Sequence, residues 1–280
     1  MSTPLERRKL KFSNTTRDEI RNDLLKDVAL LSRSQGPNQQ LESLKTDATK
    51  RVQLLSQIKE ETDDSNIEHG LRKLREIIVS MMSDGGHDNQ LLTFAEEVYI
   101  MSYAFFLRRK EWGKVGGIVL EFAKDNLHDL FYERGFLEVY ILYLSHLEHN
   151  LTKCIDMILQ GQKYNIIKIH TALLRLSVIY CDETSPPTLW FRILQESQLK
   201  EKYPQAYQLL EYSGKIAEMQ ERCFNIIKVS YNQISWQYLE EDWLLGIPMN
   251  ENLRSTIENT YLIIMNNNGS RTIMLKKPKA

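Results

Sequence analysis

Long hydrophobic runs are missing from this chain of 280 residues. No apolar stretch approaches the roughly 18 residues that cross a bilayer, and the mean hydropathy is −0.40. A membrane span is therefore excluded. The first eleven residues, Met1 to Lys11, are basic and lack an apolar core, so they do not read as a secretory signal. Cysteine is scarce: Cys154, Cys181 and Cys223 lie 27 and 42 residues apart, a spacing that fits neither a zinc site nor a disulfide framework. They read as buried thiols in a reducing compartment, and the chain as an intracellular soluble protein. Charge of one sign is lacking as well. A formal net charge of −1 gives the molecule no overall attraction to nucleic acid or acidic lipid.

Signatures of catalysis are equally thin. His146 and His149 flank Leu147 and Glu148 and would share a helical face. A zinc-protease helix needs His-Glu-x-x-His, with its ligands four apart, and that order does not occur. The His-x-His pair of metal-dependent isopeptidases is also missing, so both histidines read as surface or helix-end residues. No Gly-rich phosphate loop and no Gly-x-Ser-x-Gly elbow is found. Gly113, Gly116 and Gly117 lead into a helix and read as points of close helix packing. The chain reads as a non-enzyme, with no cofactor, metal or small-molecule substrate.

What the chain does contain is helical periodicity. Residues 1 to 16 read as a loose charged arm, whose Arg7, Arg8, Lys9 and Lys11 fit a solvated tail better than a nuclear-localisation patch. A helix follows with Ile20, Leu24, Val28 and Leu31 on one face. Leu41, Leu44, Ala48, Val52, Leu55 and Ile58 recur every three or four residues, a narrow seam able to pair with another helix. Glu60 to Asn66 reads as an acidic linker or as a cap for the next helix. Ile67 to Tyr212 is helical almost throughout, with breaks at Ser83–His87 and Cys181–Pro187. A last long helix, Gln205 to about Val229, leads into the C-terminal stretch. The expected organisation is an N-terminal arm (1–66), a helical-repeat domain (67–215), and a linker helix with a final module (216–280).

That module has a specific order. Ile234-Ser235-Trp236 is an extended entry, and Gln237 to Leu245 has helical spacing. Gly246 supplies a left-handed stop before Ile247 and Pro248. Asn250 is an N-cap for a second helix, Glu251 to Asn259. Tyr261–Met265 and Arg271–Lys276 then flank an Asn/Gly turn, the signal of a hairpin. Helix, turn, helix and hairpin make a winged helix. The fold class is mainly α: a right-handed, solenoid-like helical-repeat stack followed by a C-terminal α+β winged helix. Trp236, Leu239, Trp243, Leu245, Ile257, Leu262, Ile264 and Ile273 are its expected core.

From Tyr231 to Leu275 five acids (Glu240, Glu241, Asp242, Glu251, Glu258) outnumber two bases (Arg254, Arg271). That sign opposes phosphate and removes the counterion-release drive for nucleic-acid binding, so the module reads as a protein-docking device. Glu240, Glu241 and Asp242 on the helix, and Arg271, Thr272 and Met274 on the wing, are the expected partner-facing residues. The edge strand of the hairpin offers a place for a neighbour's strand.

A helical stack ending in such a module resembles the PCI family of scaffold subunits. The likeness rests on Tyr231-Asn232-Gln233-Ile234-Ser235, Leu239, Leu244-Leu245-Gly246-Ile247-Pro248, Ile257 and Tyr261 to Leu275. Pro204-Gln205-Ala206-Tyr207 and Lys276-Lys277-Pro278 point to the short members: the smallest COP-nine signalosome subunit and its counterparts in the proteasome lid and translation initiation factor three. The resemblance implies a non-catalytic scaffold in a PCI-type complex, signalosome-like (cullin deneddylation) first, in the cytoplasm and nucleus. Its partners would be other PCI-type subunits, whose winged helices pack side by side and extend one another's sheet. A lid or initiation-factor subunit, or a PCI-type adaptor in messenger RNA export, is the alternative. Larger members continue past the wing into a bundle helix that has no counterpart in the sequence after Lys276. The first 65 residues have no counterpart in the short members either.

Overall fold

A computed structural model describes residues 39–84, 88–124, 135–163, 170–267 and 269–276. The arm and the helix expected up to Leu31 lie outside the described residues. The fold is mainly helical, with a small three-stranded antiparallel sheet near the C-terminus. The chain divides into two compact units, Met1–Phe105 with Lys124–Leu127 and Phe106–Ala123 with His128–Ala280.

The first unit is built from α1 (Gln39–Thr46), α2 (Ala48–Glu60), α3 (Asp64–Ser83) and most of α4 (Asn89–Arg108). Its local breaks are made by aspartates. Asp47 accepts from the amides of Thr49 (2.9 Å) and Lys50 (3.3 Å), which starts α2 afresh. The guanidinium of Arg51 donates to the carbonyls of Leu44 and Lys45, satisfying the end of α1. The seam expected through residues 41–58 is therefore not one stripe. Leu44, Leu54, Leu55 and Ile58 are buried, whereas Ala48 and Val52 are exposed, because the restart at Asp47 resets the helical phase. Asp63 caps α3 through the amides of Ser65 and Asn66, so the acidic stretch acts as a cap. The domain boundary expected at 66/67 falls inside α3. Leu71, Leu74, Ile77, Ile78 and Met82 form its buried face. Lys59–Glu97 (2.6 Å) and Arg75–Ser102 (2.9 Å) tie α2 and α3 to α4.

The second unit holds most of α5 (Trp112–Lys124), then α6 (Phe136–His146), α7 (Leu151–Lys163), α8 (His170–Cys181), α9 (Pro187–Glu196), the short α10 (Leu199–Lys202), α11 (Pro204–Tyr212) and α12 (Lys215–Ser230). At its centre is α6, against which α7, α8 and α11 all pack. Ten of its eleven residues are buried, Glu138 and His146 included, so no amphipathic stripe marks it out. Gly116 on α5 lies against the ring of Tyr143 with no room for a Cβ, whereas Gly113 and Gly117 face open space. Close approach is thus the role of one glycine of the three. Pro187 occupies the first turn of α9, where its missing N–H costs nothing. The long helix expected from Gln205 to Val229 is two helices. Gly214, at φ 75°, takes the left-handed conformation that turns the chain from α11 into α12.

Beyond α12 the chain forms β1 (Gln233–Ser235), a single helical turn α13 (Trp236–Tyr238) that widens into a π-turn (Leu239–Trp243), α14 (Glu251–Thr260), β2 (Leu262–Met265) and β3 (Arg271–Met274). Leu245 (φ 52°) and Gly246 (φ 74°) make the left-handed stop. Asn250 caps α14 through the amide of Leu253 (2.9 Å). Gln220 of α12, fully buried, donates to the carbonyl of Pro248 (2.8 Å) and accepts from the amide and side chain of Asn250 (2.9 Å each). This one side chain fixes the start of α14 to α12.

Candidate functional site: the C-terminal sheet and its free edge

Strand order is β1-β3-β2, so β3 is central and β2 forms an edge. The extended entry is thus a true strand, not only a lead-in. The register aligns Ile234 with Ile273 and Ile263 with Ile273. Cross-strand partners share a face, so the three isoleucines form one row, with Ile234 and Ile273 buried and Ile263 half-buried. Arg271 lies on that same face, its guanidinium 4.2 Å from the centroid of Trp236, while Arg254 of α14 sits 6.0 Å from the same ring. Trp236, Leu239, Leu244, Met249, Leu253 and Ile257 complete this core.

The opposite face carries Leu262 beside Met274 and Ile264 beside Thr272. Leu262 and Ile264 were expected in the core and instead are 64% and 41% exposed. Alternation explains the difference: with Ile263 turned inward, both neighbours must turn outward. Met265, at the hairpin end, is 64% exposed. Of the other expected core residues, Trp243 and Leu245 are half-buried, and Trp243 makes an edge contact with Tyr231 at 6.0 Å.

The expected partner-facing residues separate into two places. Thr272 and Met274 lie on the outer sheet face with Leu262 and Ile264. Arg271 lies on the inner face, engaged with Trp236 and 3.9 Å from Glu258. Glu240 is half-buried and pairs with Arg254 at 3.4 Å. Glu241 accepts from Gln237, and both Glu241 and Asp242 are exposed. The structure thus gathers Leu262 and Ile264, expected in the core, and Thr272 and Met274, expected to face a partner, into one outer strip. No signal on β2 alone could have found it, since all four of its residues are apolar.

The second place with chemical content lies around α6 and α8. His146, expected at a surface or helix end, does end α6 but is fully buried. Its Nε2 accepts from the Trp190 indole N–H (3.2 Å), which leaves Nδ1–H to donate to Ser145 Oγ (2.8 Å). The chain continues through Ser177, which donates to Ser145 (2.9 Å), and the Cys154 thiol, which donates to Ser177 (3.4 Å). Burial, reinforced by Lys215, pushes the His146 pKa down to about 3. The ring is therefore neutral, with both nitrogens engaged. His149 is exposed and stacks on Tyr180 at 5.7 Å. Beside it an open cavity of about 430 Å³ is lined by Tyr180, Cys181, Glu218 and Arg222. Arg222 donates to the carbonyls of Ile179, Tyr180, Asp182 and Ser185, and the Tyr180 hydroxyl donates to Glu218 (2.8 Å). These polar groups hold the α8–α9 turn against α12. Burial raises the thiols of Cys154, Cys181 and Cys223, the last to about 12, so none is a ready nucleophile.

No protein-family model, curated protein or solved structure matches this chain.

Proposed function

We propose that the chain is a non-catalytic assembly subunit of a PCI-type multiprotein complex, most closely of the signalosome kind, and that it docks through its C-terminal module acting as a winged helix. In this reading the helices before it form a solenoid-like stack. One observation carries the proposal: among the described residues β2 is a sheet edge with no strand beyond it, and its outer face shows Leu262 and Ile264 to solvent, beside Thr272 and Met274. A sheet edge with outward apolar side chains suits a neighbouring subunit's strand and sheet face better than it suits a phosphate backbone or a small substrate. The exposed acids Glu241 and Asp242 elsewhere on the module oppose nucleic acid.

The test is capture of the tagged chain from its own cells at low salt, with mass spectrometry of stoichiometric partners. Other helical-repeat, winged-helix subunits together with a cullin-directed isopeptidase support the signalosome reading. Lid or initiation-factor subunits keep the scaffold and change the complex. A Leu262→Asp variant that folds normally should lose these partners at least tenfold. Full retention by that variant, or recovery of RNA-export factors alone, would overturn docking at this edge.

A further inference from the structure

We infer that β2 also pairs with β2 of a second copy of this chain, about a two-fold axis midway between the two copies of Ile263. Sheet edges in monomers are normally guarded by charge, proline or a bulge. Here Asn259 to Ser270 contains no charged residue and no proline, and β2 runs in regular register along β3 from Leu262 to Met265. A copy approaching this edge therefore meets no like charge on the strand itself, the usual obstacle to self-pairing.

Geometry then selects the register. Antiparallel partners share a face, so a two-fold axis perpendicular to the sheet must run midway between the two copies of one residue, which then face each other. Centred on Ile263, it sets Ile263 against Ile263 of the copy, and Leu262 against Ile264 of the copy, twice over. Every outward apolar side chain of the strand's middle then faces another. Centred on Ile264, it would set Leu262 against Asn266 instead. The first arrangement is self-complementary, as an isologous interface requires. It makes one six-stranded sheet in the order β1-β3-β2-β2-β3-β1, with an apolar strip across its outer face.

Strands of four residues bury less than the ~1,200 Å² typical of stable complexes, so the dimer is weak and concentration-dependent. The inference uses the same edge as the docking reading but does not require it. A copy and a foreign subunit would compete for that edge.

The experiment is sedimentation equilibrium of the purified full chain from about 1 to about 200 µM, the range that brackets a transient interface of this size. A monomer–dimer equilibrium is expected. Ile264→Lys should weaken it at least tenfold with an unchanged circular-dichroism spectrum, because Ile264 is outside the core. The double variant Leu262→Cys with Ile264→Cys should form a disulfide-linked dimer on mild oxidation, since these positions oppose one another directly, whereas Leu262→Cys alone should link far more slowly. A chain monomeric at the highest concentration overturns the inference. So does a dimer insensitive to Ile264→Lys, or equal linking by the single and double variants. None of these results bears on partners captured from cells, so the two readings fail separately.

Discussion

Glu138 and His146 sit eight residues apart on α6, both buried, and their titrations act on stability in opposite directions. Burial raises the Glu138 carboxyl to about 7 from 4.5, with Oε2 lacking a hydrogen-bond partner among the described residues. The folded state thus holds a proton that the unfolded chain has released, and stability falls as pH rises from 4.5 to 7. His146 behaves oppositely. Its folded pKa of about 3 lies below the 6.5 of the unfolded chain, so the unfolded chain binds the extra proton and stability falls as pH drops from 6.5 to 3. Each slope is about 1.4 kcal/mol per pH unit. Between pH 4.5 and 6.5 they cancel.

Replacing Glu138 by Gln removes one slope and exposes the other. Over those two pH units the variant should lose about 3 kcal/mol on acidification, from His146, that the native chain does not lose through this pair. Burying an amide in place of the neutral acid adds an offset of about 1–3 kcal/mol that does not vary with pH, so the informative quantity is the slope of the difference. Urea unfolding followed by tryptophan fluorescence measures it, because Trp112, Trp190, Trp236 and Trp243 all belong to the second unit. A stability difference between native and variant chains that stays constant from pH 4.5 to 7 would refute a buried, protonated Glu138.

Two further substitutions test the packing. Ile273→Ala, at the centre of the sheet's buried row, should cost about 2–5 kcal/mol, whereas Leu262→Ala on the outer face should cost less than about 1 kcal/mol; equal costs in denaturant unfolding would mean the faces are assigned the wrong way round. Gln220→Ala leaves the Pro248 carbonyl and the Asn250 amide without their partner and should destabilise the second unit by about 1–3 kcal/mol. A Gln220→Ala chain with a native unfolding midpoint would show that α14 is anchored elsewhere.

Much of the helical architecture was legible because helix ends are set locally. Asp63, Gly246 and Asn250 act as the stop and start signals that their chemistry announces. Gly214 and Asp47 carry the same kinds of signal, yet apolar residues recurring at helical spacing on both sides hid them. Periodicity reports that helices are present on either side of a break but does not report the break. His146 was misplaced for a different reason. A neutral imidazole in a core depends on Trp190 and Ser145, and Trp190 lies 44 residues away in sequence. Nothing at the histidine itself distinguishes that environment from a solvated one.

The sheet shows the same limit and points to what the limit hides. Leu262-Ile263-Ile264-Met265 is apolar at every position, so period two cannot say which residues face inward. The answer lies on β3, where Ile273 and the Arg271–Trp236 contact fix the inner face and the register passes it to Ile263. The inner face of β2 needs its apolar residue at 263, whereas the side chains at 262 and 264 point outward and are partly exposed. The chain carries Leu and Ile there. Covering either side chain fully contributes roughly 1.5–3 kcal/mol, and with 64% of Leu262 and 41% of Ile264 still exposed, a substantial share of that free energy is unused by the folded monomer. It is available to any strand that covers this edge, from another subunit or from a second copy.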